Sequence, residues 1–191
     1  MSSDRLPGLT RDELGEDART LWDAIVGSGR GNVVGESGSL IGPFNAWLHV
    51  PEAGLALSEL GALLRFGTSL QRRLTEVAII TVGAAWKAEF EWWAHARMAE
   101  EHGVAGAVIE AIGAGEVPPF EREDEEIVHA VASQLLSTGR VEQAGYDRAV
   151  ELLGHQGMVE LVCLCGYYCL ISFILNAFEV SLPPGVKGRW G

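Results

Sequence analysis

Two side chains in the run FEWWAHARM are suited to do chemistry, Glu91 and His95. Four residues apart on a helix, they project from one face about 40° from each other. A carboxylate one turn before an imidazole can hydrogen-bond the ring, fix its tautomer and hold it ready as acid or base. The same spacing also describes a solvated ion pair, worth a few tenths of a kcal/mol. The aromatic neighbourhood of Trp86, Phe90, Trp92 and Trp93 favours the chemical reading. His102 continues the stripe, but beside Glu101 and Gly103 it reads as a surface helix end.

A second carboxylate, Glu76, opens the apolar run LTEVAIITVG. It is either a first-turn acid favoured by the helix dipole or a partly buried acid aimed at the next helix. On one straight helix Glu76 and His95 would stand about 100° apart. They converge only if the chain bends, and Gly83-Ala84-Ala85 is the expected bend.

The elements that must position these groups all read as helices. Thr10 to Val26 opens on a capping box, Thr10 with Glu13 three residues on, and carries Leu14, Ala18, Leu21, Trp22 and Ile25 at helical spacing. Residues 28–42 are rich in glycine and serine and read as a loop, long enough to be a lid or partner arm. GPFNAWLHVPE is a short turn-and-helix piece, and Leu55 to Phe66 is amphipathic, with Leu57, Leu60, Leu63 and Leu64 on one side. The central stretch splits into Thr75–Ala85 and Trp86–His102, the latter stopped by Gly103. Shorter helices follow over 104–113, 122–138 and 141–153, and an apolar one over 156–180. No strand is evident. The expected organisation is an extension over 1–42, a helical domain over 43–183 and a tail over 184–191.

Composition bounds the partners. Of 191 residues, 48% are hydrophobic and 21% charged, ordinary values for a globular chain. Lys+Arg 14 against Asp+Glu 26 leaves a net charge of −12, which repels phosphate backbones, so nucleic acid and anionic membrane are not expected partners. The first residues show no secretory h-region. The stretch Met158 to Phe178 is long enough to span a bilayer, yet it carries Glu160 and Asn176 and has no basic flank. A helix apolar all round is expected at the centre of a protein or oligomer, so it reads as core plus subunit interface. Cys163, Cys165 and Cys169 all lie in it without CxxC spacing and read as small core hydrophobes, consistent with a cytoplasmic location.

With these residues in place, RRLTEVAIITVGAAWKAEFEWWAHARMAEEHGV resembles the carboxymuconolactone decarboxylase family, whose relatives include the alkyl hydroperoxidase D proteins. The pattern is an acid (Glu76), twelve residues later a four-residue motif, then a histidine (His95). In the peroxidase branch that motif is CxxC; here Ala88 and Glu91 occupy its cysteine positions. Glu89-Phe90-Glu91-Trp92 followed by His95 is similar to the decarboxylase-like branch. The resemblance extends over roughly 42–183.

The resemblance implies an all-α fold assembling as trimers, or as hexamers built from dimers, with the pocket near the acid–histidine cluster. It implies a lyase or tautomerase without cofactor or metal, acting on a small acidic substrate such as a lactone or keto acid. His95 would be the proton donor, Glu91 its orienting group and Glu76 a second acid/base. Arg73 would anchor the substrate carboxylate, with Arg72 an equal candidate. Asn45, Trp47 and His49 would line the pocket mouth, Trp92 its wall, and Asn176 would offer a buried amide. Peroxidase chemistry requires a thiolate and a resolving thiol, which the motif lacks. The other alternative is a non-catalytic oligomeric binding protein.

Overall fold

The computed structural model describes residues 4–191; residues 1–3 of the N-terminal extension lie outside it. Among the described residues eight α-helices form: α1 Glu16–Val26, α2 Phe44–Leu48, α3 Pro51–Phe66, α4 Arg72–Ala85, α5 Glu89–Glu101, α6 Gly106–Ala114, α7 Glu123–Thr138 and α8 Gln143–Ala177. Among the described residues no strand forms; residues 28–42 are the expected loop, pinned by isolated bridges from Thr10 to Ser39 and Val34 to Leu40.

α4 is the hub, buried from Arg73 through Gly83 and packed against α5, α6, α7 and α8. Val77, Ala78, Ile79, Ile80 and Val82 are wholly inaccessible, so every face of this helix meets protein. A charged group placed there is desolvated and must find partners. α1 and α2 pack on α3 at the N-terminal side.

Several boundaries move from the sequence-based ones. The Thr10–Glu13 capping box forms, with Glu13 accepting from the Thr10 backbone N–H at 2.8 Å, but it closes one 3-10 turn, and α1 starts only at Glu16. Leu60 and Leu63 of α3 point outward, while Gly54, Ser58, Gly61 and Leu64 face inward. The small residues let neighbours approach closely: a Cβ at Gly61 would overlap the Tyr167 hydroxyl. The two helices expected over 141–153 and 156–180 are continuous except at Gly154, whose φ of 72° and ψ of 169° kink α8.

α8 is long and apolar enough to cross a membrane, but half of its most apolar stretch is buried against the rest of the chain. Leu161, Leu164, Tyr168 and Leu175 face the core, while Val159, Val162 and Phe173 stay exposed. The C-terminal segment is no loose tail. The Glu89 carboxylate accepts from the backbone N–H groups of Arg189 and Trp190 at 2.6 and 2.7 Å, and Trp190 Nε1 donates to Gly113 O at 3.1 Å.

Candidate active site

The α4–α5 junction brings Glu76 and His95 together, but the bend does not lie at Gly83. α4 runs on to Ala85 and ends in a Schellman motif: Ala88 N–H donates to Gly83 O and Lys87 N–H to Ala84 O. The left-handed residue is Lys87, at φ 48°, where a glycine is usual. Its reversal turns α5 back along α4.

The result is a buried network of three side chains. His95 Nδ1 lies 2.6 Å from Glu76 Oε2, and His95 Nε2 lies 3.0 Å from Glu91 Oε1. Glu76 is wholly inaccessible, Glu91 is 4% exposed and His95 5%. The two contacts differ in kind. Glu76 meets the ring in line, whereas Glu91 Oε1 is close to Nε2 but off its hydrogen-bonding axis. Arg72 Nη2 donates to the other Glu76 oxygen, Oε1, at 3.0 Å.

Burial alone would drive His95 toward the neutral form. The Glu76 carboxylate, and after it Glu91, more than reverses this and raises the imidazole pKa to about 9. Burial likewise pushes the Glu76 carboxyl up, but His95 outweighs it and holds the group below the ordinary carboxylate range. The stable state at neutral pH is an imidazolium between two carboxylates. Nδ1 is hydrogen-bonded to Glu76, whereas Nε2 faces Glu91 without meeting hydrogen-bond geometry.

Tyr168 of α8 closes another side, its ring edge-on to His95 with centroids 5.3 Å apart. Burial pushes its hydroxyl well above the usual tyrosine range. Sequence reasoning missed this residue; the one available signal was a pair of polar aromatics, Tyr167-Tyr168, inside the most apolar stretch of α8.

The remaining sequence candidates lie elsewhere. Arg73 is not free to anchor a substrate: it faces α7, where its guanidinium bonds Asp124 Oδ2 at 2.7 Å and Glu125 Oε1 at 2.6 Å. Its neighbour Arg72 points toward Glu76, because adjacent helical residues diverge by about 100°. Asn45 ties down the N-terminal extension, accepting from Leu9 N–H and donating to Pro7 O, both at 3.0 Å. Trp47 is a core residue at 2% exposure, edge-on to Phe44. His49 is exposed as the C-cap of α2. Trp92 packs under Trp190 and the Arg189 guanidinium. Asn176 offers no buried amide; it is exposed and donates to Trp86 O at 2.8 Å.

Two surface concavities lie away from the network. One of about 440 Å³ follows the outer face of α8 past Gly166, Cys169 and Phe173; another of about 570 Å³ lies between α8 and the C-terminal segment. None of the three cysteines makes a hydrogen bond or ion pair with the network. Cys165 is buried, which with Cys169 nearby raises its thiol to about 12, and Cys169 Sγ accepts from Trp86 Nε1 at 3.4 Å.

No protein-family profile and no curated protein matches the chain. Solved structures do. The debrominase Bmp8, determined as a cysteine-to-alanine variant with 2,3,4-tribromopyrrole, superposes with a TM-score of 0.75 at 15% identity, covering 96% of this chain and 95% of that one. A peroxidase-related protein with an alkylhydroperoxidase AhpD core, from Ralstonia eutropha JMP134, gives 0.74 at 14% identity, over 95% of this chain and 93% of that one. A protein of unknown function from Agrobacterium tumefaciens gives 0.66 at 15%, over 76% and 99%. These superpositions cover most of each chain, and with the helices described above they show that the chain has the all-α alkyl hydroperoxidase D-like fold.

Proposed function

We propose that the chain is a cofactor-free acid–base enzyme acting on a small oxygenated acid, by decarboxylation or tautomerisation. The observation that carries this reading is the buried His95 imidazolium between Glu76 and Glu91. Three buried titratable groups in contact, one shifted far from its ordinary value, cost stability and are typical of sites built for proton transfer. That fold neighbours include a debrominase supports a catalytic role in general, without pointing to its substrate.

In the lyase version, a β-keto carboxylate loses CO2 and leaves its bonding pair as an enolate. His95 Nε2–H protonates the enolate carbon, and the neutral ring regains its proton from water. Glu76 keeps the ring in place through Nδ1 and balances its charge throughout. In the tautomerase version Glu91 takes a proton from the carbon beside a carbonyl, and the proton returns at a second atom. Thiol peroxidase chemistry is disfavoured, because Ala88 and Glu91 hold the positions a dithiol would need and Cys165 is a poor thiolate.

Self-association belongs to the same reading. Val159, Val162 and Phe173 on α8, with Leu63 and Phe66 on α3, are exposed apolar side chains that a second copy would cover.

A panel of small keto acids and lactones, followed by CO2 release, mass change and deuterium uptake from D2O, tests the proposal. Turnover by the wild type that is lost in His95→Gln supports it. Undiminished turnover in folded His95→Gln overturns it.

A further inference from the structure

The chain holds two half-buried guanidinium groups without a carboxylate partner, Arg65 against the helix that carries His95 and Arg30 against α3. Arg65 extends from the last turn of α3 toward α5, where its Nη2 meets Met98 Sδ at 3.3 Å, three residues after His95. Its guanidinium also lies over the Phe66 ring, 4.9 Å from the centroid, but its Nε–H is buried and bonds to nothing among the described residues. Arg30 comes from the long loop; its Nη2 donates to Ser58 O at 2.6 Å and its guanidinium lies over the Phe44 ring. Neither makes a salt bridge among the described residues, in a chain with nearly twice as many acids as bases.

Both groups belong electrostatically to the site. Arg65 acts on Glu76 and Tyr168, and Arg30 acts on Tyr167 and Tyr168 and is itself repelled by Arg65. Burial makes an unpaired cation costly, and the like charge nearby adds to the cost. The other arginine near the site, Arg72, is occupied by Glu76 and by the Arg65 carbonyl. A buried donor with no acceptor beside a second uncompensated cation is what an absent anion leaves behind.

We infer that Arg65 and Arg30 receive the carboxylate of the substrate. This rests on the acid–base reading and narrows its substrate class to small carboxylates that place their reactive carbon near His95 Nε2. Arg65 supplies the buried fork, Nε with Nη, and Arg30 adds a second charge from a loop. Arg73, on the far side of α4, takes no part.

Arg Nε–Hε signals of the full-length 15N-labelled protein, assigned from Arg65→Gln and Arg30→Gln, test the inference directly. Acetate, 2-furoate and benzoate serve as probes, with the neutral 2-furamide and benzamide as controls. The expected result is a saturable shift of the Arg65 and Arg30 signals by at least one carboxylate and by neither amide. Arg65→Gln should weaken that binding by roughly tenfold or more, Arg65→Lys by less, and Arg148→Leu on the surface not at all. No saturable shift with any of the three carboxylates, shifts that leave both signals in place, or undiminished affinity in folded Arg65→Gln overturns the inference. If Arg65→Gln does not fold, Arg65→Lys supplies the assignment and the affinity comparison. Turnover surviving His95→Gln while carboxylate binding still requires Arg65 would remove the acid–base reading alone. Turnover that requires His95 but has an unchanged KM in Arg65→Gln would remove only the anion pair.

Discussion

Glu76 Oε2 and His95 Nδ1 stand 2.6 Å apart although the two residues are 19 positions apart in sequence, and both are buried. A carboxylate in the middle of an apolar helix is tolerable because the turn at Lys87 folds a protonatable ring onto it. Each group makes the other's charged form the stable one, and this couples the site to pH.

His95 has a folded pKa of about 9, above its ordinary 6.5, so the folded chain holds this proton more tightly than the unfolded one. The stabilisation is fully present below pH 6.5 and is lost as pH rises through about 9. Glu76 runs the other way: its pKa is held below 4.5, so its contribution is present above that value and lost as pH falls. Urea unfolding of wild type and His95→Gln at several pH values should therefore show a stability difference that shrinks by roughly 1–3 kcal/mol across the alkaline window. A difference that stays flat there would mean that folding does not hold the proton.

Glu91→Gln removes the second carboxylate but leaves the ring and its bond to Glu76. On a verified decarboxylation substrate, where Glu91 only orients the ring, the change should cost less turnover than His95→Gln, for which general acid–base catalysis suggests a loss of about 10²–10⁴-fold. It should also lower the pKa of His95, moving the alkaline limb of the pH–rate profile to lower pH. A limb that moves upward would exclude Glu91 as the group favouring the imidazolium.

Arg73→Met takes the bonded guanidinium away from Asp124 and Glu125 and leaves Glu125, 3% exposed, only its 3.6 Å contact with Arg122. The loss should be roughly 3 kcal/mol in chemical denaturation, with His95 titrating as in the wild type. A variant of normal stability that has lost substrate affinity would return Arg73 to the role the sequence suggested for it.

Trp190→Ala removes the ring stacked edge-on against Trp92 and the donor to Gly113 O. Because the ring is only partly covered, urea unfolding should register about 1–2 kcal/mol of lost stability. No change would show that the C-terminal segment does not hold α5 and α6 together.

What could be read from the sequence was what local spacing controls. The Glu91–His95 pair, the helical character of nearly every segment and the division of the last helix near Gly154 all follow from periods of a few residues. Convergence of Glu76 on His95 was legible only as a condition, a bend, and the bend came at a lysine rather than at the glycine that marked it. Choosing between Arg72 and Arg73 depended on which face of α4 met α7, and Asp124 lies 51 residues away from Arg73. Asn45 and His49 read as pocket-mouth residues and Asn176 as a buried amide, but packing spends the first on a backbone tie and leaves the other two at the surface. Arg65 gave no signal of its own, because an arginine at a helix end is ordinarily a solvated charge.

Titration of His95 in 15N-histidine-labelled protein tests the central claim most directly. The account predicts that both ring nitrogens of His95 are protonated at neutral pH, with a midpoint near 9 that falls in Glu76→Gln. A neutral ring at neutral pH, with a midpoint at or below the ordinary 6.5, would contradict it.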